Sequence, residues 1–181
     1  MKKICVPLAA GFEEIEAITL IDVLRRAGFS VVTSGLDSLQ VRGSHNVTVT
    51  ADITLDEALL GAWDLVVLPG GMPGATNLRD DARIGKLLDQ TAKGGGYIGA
   101  ICAAPIVLDH FGFVRGRKAT SYPGFGDQMP GAVYLEDRVV WDGNVITSRG
   151  PGTAMEFALA ITEMLAGCAK ADDLKKQMLV K

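Results

Sequence analysis

The stretch Tyr97-Ile98-Gly99-Ala100-Ile101-Cys102-Ala103-Ala104-Pro105 indicates the class of fold to which this chain belongs. The apolar run from Tyr97 to Ile101 predicts a short buried strand, and the pattern from Ala103 to Asp109 predicts a helix that follows at once. Cys102 therefore lies at a strand-to-helix corner, with a small residue on its C-terminal side. This is the arrangement of a nucleophile elbow, in which a tight turn lifts a reactive side chain above the edge of a sheet.

At this corner Cys102 can be interpreted either as a reactive residue or as a buried structural one. A cysteine at a helix N-terminus gains thiolate character, because unpaired backbone N–H groups and the helix dipole favour negative charge. Most free cysteines, in contrast, are small buried hydrophobic residues without a chemical role. The position in the sequence leaves both interpretations open.

Short apolar runs alternate with helical patterns along the rest of the chain, which predicts a mostly parallel sheet covered by helices on both faces. No repeat or linker divides the sequence, so we expect one α/β domain over residues 1–181. Strands are predicted at residues 4–9, 30–34, 64–68, 97–101, 118–121, 133–135, 139–141 and 145–148, with a small hairpin over 40–49. Helices are predicted at residues 13–27, 54–60, 81–92, 103–109, 153–165 and 172–180.

The composition limits the class of protein. Hydrophobic residues make up 48% of the chain and charged residues 22%, which is typical of a folded globular protein rather than a disordered one. The formal net charge is −3 and no block of basic residues occurs, so a nucleic-acid partner is not expected. The N-terminal apolar run ends at Pro7, too early for a signal peptide or a membrane span, and we expect a cytoplasmic protein.

The cysteines and histidines do not predict a metal site. Cys5, Cys102 and Cys168 are widely spaced and include no CxxC pair, so neither zinc nor a thioredoxin-type motif is expected. His110 falls at the far end of the helix that follows Cys102, about 12 Å away at helical rise. His45 lies in the predicted hairpin and would reach the elbow only by folding over it or from a partner subunit.

Three loops follow the carboxyl ends of predicted strands, where ligands bind in open α/β sheets. They are residues 10–12, residues 69–74 and the corner at Cys102. The glycine-rich loop 69–74 lacks the lysine of a phosphate-binding loop and the spacing of a dinucleotide motif. It suits either an oxyanion site built from backbone N–H groups or a plain tight turn.

Glu16 is the acidic residue of the first predicted helix that we expect to point inward. It shares a helix face with Leu20 and Ala27, and a half-buried carboxylic acid can hold a proton near neutral pH. Glu13 and Glu14 are expected to be solvated in the first turn, where the helix dipole favours them. The opposite face of the helix is also partly apolar, which predicts a dimer interface.

Four motifs, in order and over nearly the whole chain, resemble the ThiJ/PfpI superfamily, and most closely its parkinsonism-associated protein deglycase branch and the bacterial YajL proteins. The motifs are Gly11-Phe12-Glu13-Glu14-Ile15-Glu16, Leu68-Pro69-Gly70-Gly71, Ala100-Ile101-Cys102-Ala103-Ala104-Pro105 and Thr147-Ser148-Arg149-Gly150-Pro151-Gly152-Thr153. The resemblance implies a flavodoxin-like three-layer sandwich. It also implies a homodimer formed partly through the first helix.

The resemblance further implies which residues do the chemistry. Cys102 would be the nucleophile and the oxidation-sensitive residue, and Glu16 the carboxylic acid hydrogen-bonded to it. The backbone N–H groups of Gly71 and Ala103 would form the oxyanion site. Gly70 would line the pocket.

Basic positions of the family near the dimer interface and pocket correspond to Arg26 and His45. Two departures narrow the chemistry. Ala103 stands where intracellular proteases of the superfamily have a histidine, which disfavours a proteolytic Cys/His pair. Tyr122 stands in the pocket where animal members carry a histidine, which leaves Glu16 as the main candidate for proton transfer.

The activity that the resemblance implies is a cofactor-free glyoxalase or deglycase acting on methylglyoxal-type α-oxoaldehydes or their protein adducts. The alternative is a redox-sensing protein or chaperone in which oxidation of Cys102 to a sulfenic or sulfinic acid is the signal. Both need a reactive cysteine, so the sequence does not separate them. A class I amidotransferase is a weaker interpretation, since no glutaminase histidine is evident.

Overall fold

The computed structural model describes residues 1–180, and no helix in this range is long and apolar enough to cross a membrane. The strands are β1 Lys3–Leu8, β2 Ser30–Gly35, β3 Gln40–Arg42, β4 Thr48–Thr50, β5 Ile53–Thr54, β6 Leu65–Leu68, β7 Tyr97–Ile101, β8 Lys118–Ala119, β9 Val133–Tyr134, β10 Val139–Asp142 and β11 Val145–Ser148. The helices are α1 Glu14–Arg26, α2 Leu55–Ala58, α3 Gly74–Asp80, α4 Ala82–Lys93, α5 Pro105–His110, α6 Ala154–Ala166 and α7 Cys168–Gln177.

Seven strands form the central sheet in the order β10-β11-β7-β6-β1-β2-β5. Its neighbouring strands are parallel except for the edge pair β10 and β11. The register pairs Leu68 with Ala100 and Ile101 with Ser148, so that β6, β7 and β11 end at the same edge. The loops that follow β1, β6 and β7 therefore meet at that edge, which is where open parallel sheets bind ligands.

Helices cover both faces of the sheet, which confirms the predicted mostly parallel α/β sandwich. Side chains of β1 alternate between two cores: Ile4 and Val6 pack with α1 and α6, whereas Cys5 packs with α3, α4 and α5. This alternation is the strand period of two, and it gives each face of the sheet its own apolar layer. The predicted hairpin is confirmed as the antiparallel pair β3 and β4.

Three helices differ most from the predicted ones. Helix α3 was not predicted, because glycine and proline dominate the start of its sequence, yet Ala75 and Leu78 anchor it in the core. Helix α5 begins at Pro105 rather than Ala103, since proline favours the first helical turn and the preceding residues form a tight turn. Helix α7 begins four residues earlier than predicted, directly after Gly167, whose φ is +86°.

Candidate active site

Cys102 occupies a strained turn between β7 and α5. Its φ is +63°, a left-handed conformation that residues other than glycine rarely adopt. Two backbone hydrogen bonds hold the turn: the Cys102 N–H donates to the carbonyl of Ser148 at 3.0 Å, and its carbonyl accepts from the N–H of Tyr122 at 2.8 Å. The turn leaves the side chain partly exposed at the edge of the sheet, which is the geometry of an elbow.

Glu16 lies in the first turns of α1 and its side chain is fully buried. The N–H of Gly70 donates to its Oε2 at 2.8 Å. Its Oε1 has no hydrogen-bond partner within residues 1–180, which is unusual for a buried carboxyl oxygen. The loop after β6 therefore holds one oxygen of Glu16 and leaves the other free beside the elbow.

Burial raises the pKa of Glu16 to about 7. The Gly70 N–H and the Cys102 thiol stabilise the carboxylate and lower this pKa in part, while the negative charge of Glu13 raises it further. The expectation of an inward-facing acid that holds a proton near neutral pH therefore agrees with the structure. At this pKa the carboxyl gains and loses a proton under physiological conditions.

The thiol of Cys102 is not a preformed thiolate. Burial raises its pKa to about 12, the neighbouring Glu16 carboxylate adds to the rise, and the N–H groups of Ala103 and Gly71 only partly oppose it. The expectation of thiolate character is therefore wrong, because burial and the Glu16 charge outweigh the N–H groups of Ala103 and Gly71. When Glu16 takes up a proton, its contribution to this rise disappears.

Cys102 and Glu16 are neighbours that influence each other electrostatically, without a hydrogen bond to Oε1 of Glu16. Each group shifts the pKa of the other. Oε1 nonetheless remains without a partner in residues 1–180, so the thiol does not meet the geometry of a full hydrogen bond with it. The two groups are neighbours, as expected, and the hydrogen bond that the family resemblance implies stays a prediction.

Gly70 and Gly71 allow the loop after β6 to approach both groups. A Cβ on Gly70 would lie 2.6 Å from the Cβ of Cys102 and 2.8 Å from Oε2 of Glu16. Gly71 has a φ of +92°, and a Cβ there would collide with the backbone N of Glu13. Because no side chain intervenes, the N–H groups of Gly71 and Ala103 lie near enough to the sulfur to favour negative charge on it.

Tyr122 lies beside the elbow through its backbone and presents a half-exposed ring. The ring meets Phe125 edge-on at 6.4 Å between centroids, and a Cβ on Gly150 would lie 3.1 Å from it. The side chain thus packs between a loop aromatic and a glycine. The backbone of Tyr122 contacts Cys102, and the place of its ring in a pocket stays a prediction.

Arg26 does not reach the elbow within one chain. It lies at the C-terminal end of α1, ten residues and about 15 Å of helix from Glu16. Its Nε donates to Asp22 Oδ2 at 2.8 Å, and both side chains are more than half exposed. A role of Arg26 in a pocket would therefore depend on a second copy of the chain.

Glu13 and Glu14 are buried, contrary to the expectation that they are solvated. Each is 8% exposed, because the tip of the β3–β4 hairpin folds over the start of α1. The His45 N–H donates to Glu14 Oε1 at 2.7 Å, and the Ser44 N–H donates to the carbonyl of Phe12 at 2.8 Å. The contact joins residues 31 positions apart, so no local pattern in the sequence signals it.

His45 rests on these two carboxylates. Its Nδ1 lies 3.1 Å from Glu14 Oε2 and 3.4 Å from Glu13 Oε2, while its side chain is 73% exposed. The hairpin thus brings His45 to the start of α1, where it contacts Glu13 and Glu14. The three side chains satisfy one another, and we assign no metal ion to them.

A separate surface cavity of about 490 Å³ lies beside α6, with Arg138, Met155, Leu159 and Lys175 in its lining. Its lining includes neither Cys102 nor Glu16, and it contains no cysteine, serine or threonine. We therefore place the candidate site at the elbow, where a nucleophile, a titrating acid and free backbone donors come together.

The sequence matches the DJ-1/PfpI family over residues 2–164. The chain belongs to the DJ-1/PfpI family. The family predicted from the four motifs is thereby confirmed. Crystallised DJ-1beta of Drosophila melanogaster superposes with a TM-score of 0.96 at 45% identity, covering 99% of this chain and 98% of that one. This likeness confirms the flavodoxin-like sandwich.

Curated relatives carry names from the same family. The glutathione-independent glyoxalase DJR-1.2 of Caenorhabditis elegans is 42% identical over 92% of this chain and 89% of its own length. DJ-1 homolog B of Arabidopsis thaliana is 44% identical over 98% of this chain. This DJ-1/PfpI chain spans only 41% of the length of that plant protein and 46% of its homolog A.

The pH dependence of stability tests the burial of Glu16. Its pKa rises from 4.5 to about 7 on folding, so the folded chain keeps a proton that the unfolded chain releases. The free energy of unfolding should therefore fall by roughly 3 kcal/mol as the pH rises across that window. Urea unfolding at several pH values measures this fall, and Glu16→Gln should not show it.

The exposed acid Glu163 provides the control for this experiment. Glu163→Gln should keep the pH dependence of the parent protein. Parallel stability curves for the parent and Glu16→Gln between pH 4.5 and 7 would show that Glu16 does not titrate as the structure indicates.

Proposed function

We propose that this protein is a cysteine-dependent, cofactor-free glyoxalase that converts methylglyoxal-type α-oxoaldehydes into hydroxy acids. The observation that carries the proposal is the pairing of Cys102, at a strained elbow, with a fully buried carboxyl whose pKa is about 7. A thiol can attack an aldehyde, and an acid of that pKa can both accept and return a proton near neutral pH. The glyoxalase name of the nematode relative supports the same activity.

The first step joins the sulfur to the aldehyde carbon. Because the resting thiol is protonated, the Glu16 carboxylate accepts its proton as the sulfur attacks. The aldehyde oxygen becomes an oxyanion, which the N–H groups of Gly71 and Ala103 stabilise. The protonated Glu16 then returns the proton to this oxygen, which gives the neutral hemithioacetal on Cys102 and restores the Glu16 carboxylate.

The second step moves hydrogen from the aldehyde carbon to the neighbouring ketone carbon. The Glu16 carboxylate removes the proton from the first carbon and returns it to the second. The hydroxyl proton of the first carbon passes to the ketone oxygen of the second, so the hemithioacetal becomes a thioester of the hydroxy acid. Water then cleaves the thioester, releases lactate in the case of methylglyoxal, and restores the thiol. Substrate plus one water equals product, so the conversion consumes no external oxidant or reductant.

Protein-bound adducts are a second substrate class for the same chemistry. A hemithioacetal or aminocarbinol on another protein presents the same carbon skeleton, and release of the hydroxy acid from it would be a deglycase reaction. The partly exposed position of Cys102 supports access by a substrate attached to a larger molecule.

Substitution of the two central residues tests the mechanism. Cys102→Ala should abolish lactate production from methylglyoxal, because no other group at the site offers a nucleophile. Glu16→Gln should lower kcat/KM by about 10²-fold or more, the usual effect of removing a general acid–base. Both are measured by an enzymatic lactate assay on the purified protein.

Cys168 provides the matched control, because it is an exposed free cysteine at the start of α7. Cys168→Ala should retain parental activity. Full activity in Cys102→Ala would rule out the proposed mechanism.

A second candidate function is oxidation sensing by Cys102. The unpaired Oε1 of Glu16 favours it, since a protonated carboxyl there can donate a hydrogen bond to a sulfinate oxygen. A role of the oxidised protein as a chaperone or a signal requires that the modified sulfur persists. A cytoplasmic location, where thiols stay reduced, fits both functions.

Mild peroxide treatment separates the two functions. Sensing predicts a stable gain of two oxygens confined to Cys102, because its sulfur contacts N–H donors and an acid that stabilise the oxidised form. Intact and peptide mass spectrometry measure this gain. Fast aldehyde turnover without such an adduct would exclude sensing as the main role.

We also propose that two copies associate through α1. Ile15 is 58% exposed and Ile18 45% exposed, and they lie three residues apart on the helix surface. Adjacent exposed apolar side chains are typical of interaction surfaces. Arg26, whose side chain is more than half exposed, lies on the same helix. A second copy over this face would cover both isoleucines and place basic residues near the partner's site.

A charge on the exposed face of α1 tests the association. Ile18→Glu should convert a dimer into a monomer in sedimentation velocity, because a buried unpaired carboxylate is costly at an apolar interface. Leu60→Glu is the control, since Leu60 is 88% exposed on another surface. A parent protein that sediments as a monomer would contradict the homodimer.

A further inference from the structure

His45 sits over two carboxylates that water reaches poorly. Glu13 and Glu14 are each 8% exposed, and the imidazole Nδ1 lies within 3.4 Å of both. Glu14 also accepts the His45 N–H at 2.7 Å and the Val47 N–H at 3.3 Å. The hairpin tip is thereby fixed to the start of α1 with one basic group between two acids.

This cluster is connected to Glu16 through Gly70. The Glu13 N–H donates to the Gly70 carbonyl at 2.9 Å, and the Gly70 N–H donates to Glu16 Oε2 at 2.8 Å. Glu13 also lies three residues before Glu16, which places both near one face of the helix start. The charge of Glu13 is one of the causes that raise the pKa of Glu16.

The net charge of the cluster depends on the proton of His45. With both acids ionised, the cluster carries −1 when His45 is protonated and −2 when it is neutral. The two carboxylates are poorly solvated, whereas the imidazole is 73% exposed and water partly screens its charge. The charge of His45 would therefore reach Glu16 in reduced form, through Glu13, whose own charge raises the pKa of Glu16 and whose Oε2 lies 3.4 Å from the imidazole.

We propose that His45 is a positioning residue that controls the proton occupancy of Glu16, because its positive charge offsets Glu13 and Glu14. With His45 charged, Glu16 releases its proton more readily and serves as the base for Cys102. With His45 neutral or absent, the uncompensated acids retain the proton on Glu16. The catalytic consequence rests on the proposed function, whereas the electrostatic coupling does not.

The groups that face these two residues are few. Glu16 faces the Cys102 thiol from the elbow, the Gly70 N–H from the loop after β6, and Glu13 from its own helix. His45 faces Glu13 and Glu14 from α1 and the hydroxyl of Ser44 from the hairpin. The hydrogen bond to Glu14 is the main cause that raises the pKa of His45, followed by the charges of both acids.

The test follows the alkylation rate of Cys102 by iodoacetamide against pH, which needs no assumption about substrate. The protein carries Cys168→Ala to remove the exposed thiol, and peptide mass spectrometry confirms the modified site. The inflection due to Glu16 is identified by its loss in Glu16→Gln. Circular dichroism and the urea midpoint establish that each variant is folded.

His45→Gln should move this inflection to higher pH by roughly half a unit, the order of one screened charge interaction. His45→Arg keeps a positive charge and should leave the inflection at the parental value or below it. His110→Gln changes the other histidine of the chain, at the end of α5, and should have no effect. The pH profile of kcat/KM should shift in parallel with the alkylation profile.

An inflection that His45→Gln leaves in place would overturn the proposal. A shift in His45→Gln that His45→Arg fails to reverse would also overturn it, because charge would then not be the cause. Shifted alkylation profiles without any lactate production would leave the coupling intact and contradict the glyoxalase. A parent protein with no inflection near neutral pH would contradict both.

Discussion

The hydrogen bond from the Gly70 N–H to Glu16 Oε2 is the contact on which the site depends, because it joins the three segments that form it. The loop after β6 donates the bond, α1 supplies the carboxyl, and the same glycine leaves room for the Cβ of Cys102. A single donor is too little to keep a fully buried carboxylate ionised. The result is an acid that titrates near neutral pH beside a thiol.

Cys102 at the elbow and the Glu16 carboxyl have different roles in the proposed chemistry. A low thiol pKa is one route to a reactive cysteine; here burial and the Glu16 carboxylate keep the thiol protonated instead. In the proposed mechanism, reactivity comes from Glu16 as a base that removes the proton while the sulfur attacks, and from N–H donors of Gly71 and Ala103 that favour the negative charge. The same arrangement suits attack on an aldehyde better than storage of a permanent thiolate.

Apart from α3 and the short strand β5, the order of strands and helices was predictable from the local spacing of apolar residues. The elbow at Cys102 and the inward direction of Glu16 follow from the same spacing. The start of α5 was predicted two residues too early. The expected thiolate was wrong for a different reason, because the sequence does not show how deeply the sulfur is buried beside Glu16. The burial of Glu13 and Glu14 was missed, since it depends on a hairpin tip 31 residues away. Spacing reveals which face a residue occupies, but not which distant loop covers that face.

The proton occupancy of Glu16 is the central quantity, and a direct titration measures it. Carbon-13 NMR of protein labelled at glutamate side-chain carboxyls, with Glu16 assigned by comparison with Glu16→Gln, follows that single group. A midpoint near pH 7 is the predicted result. A midpoint near 4.5, the ordinary value for a glutamate, would contradict the account, since Glu16 would then hold no proton to return at neutral pH.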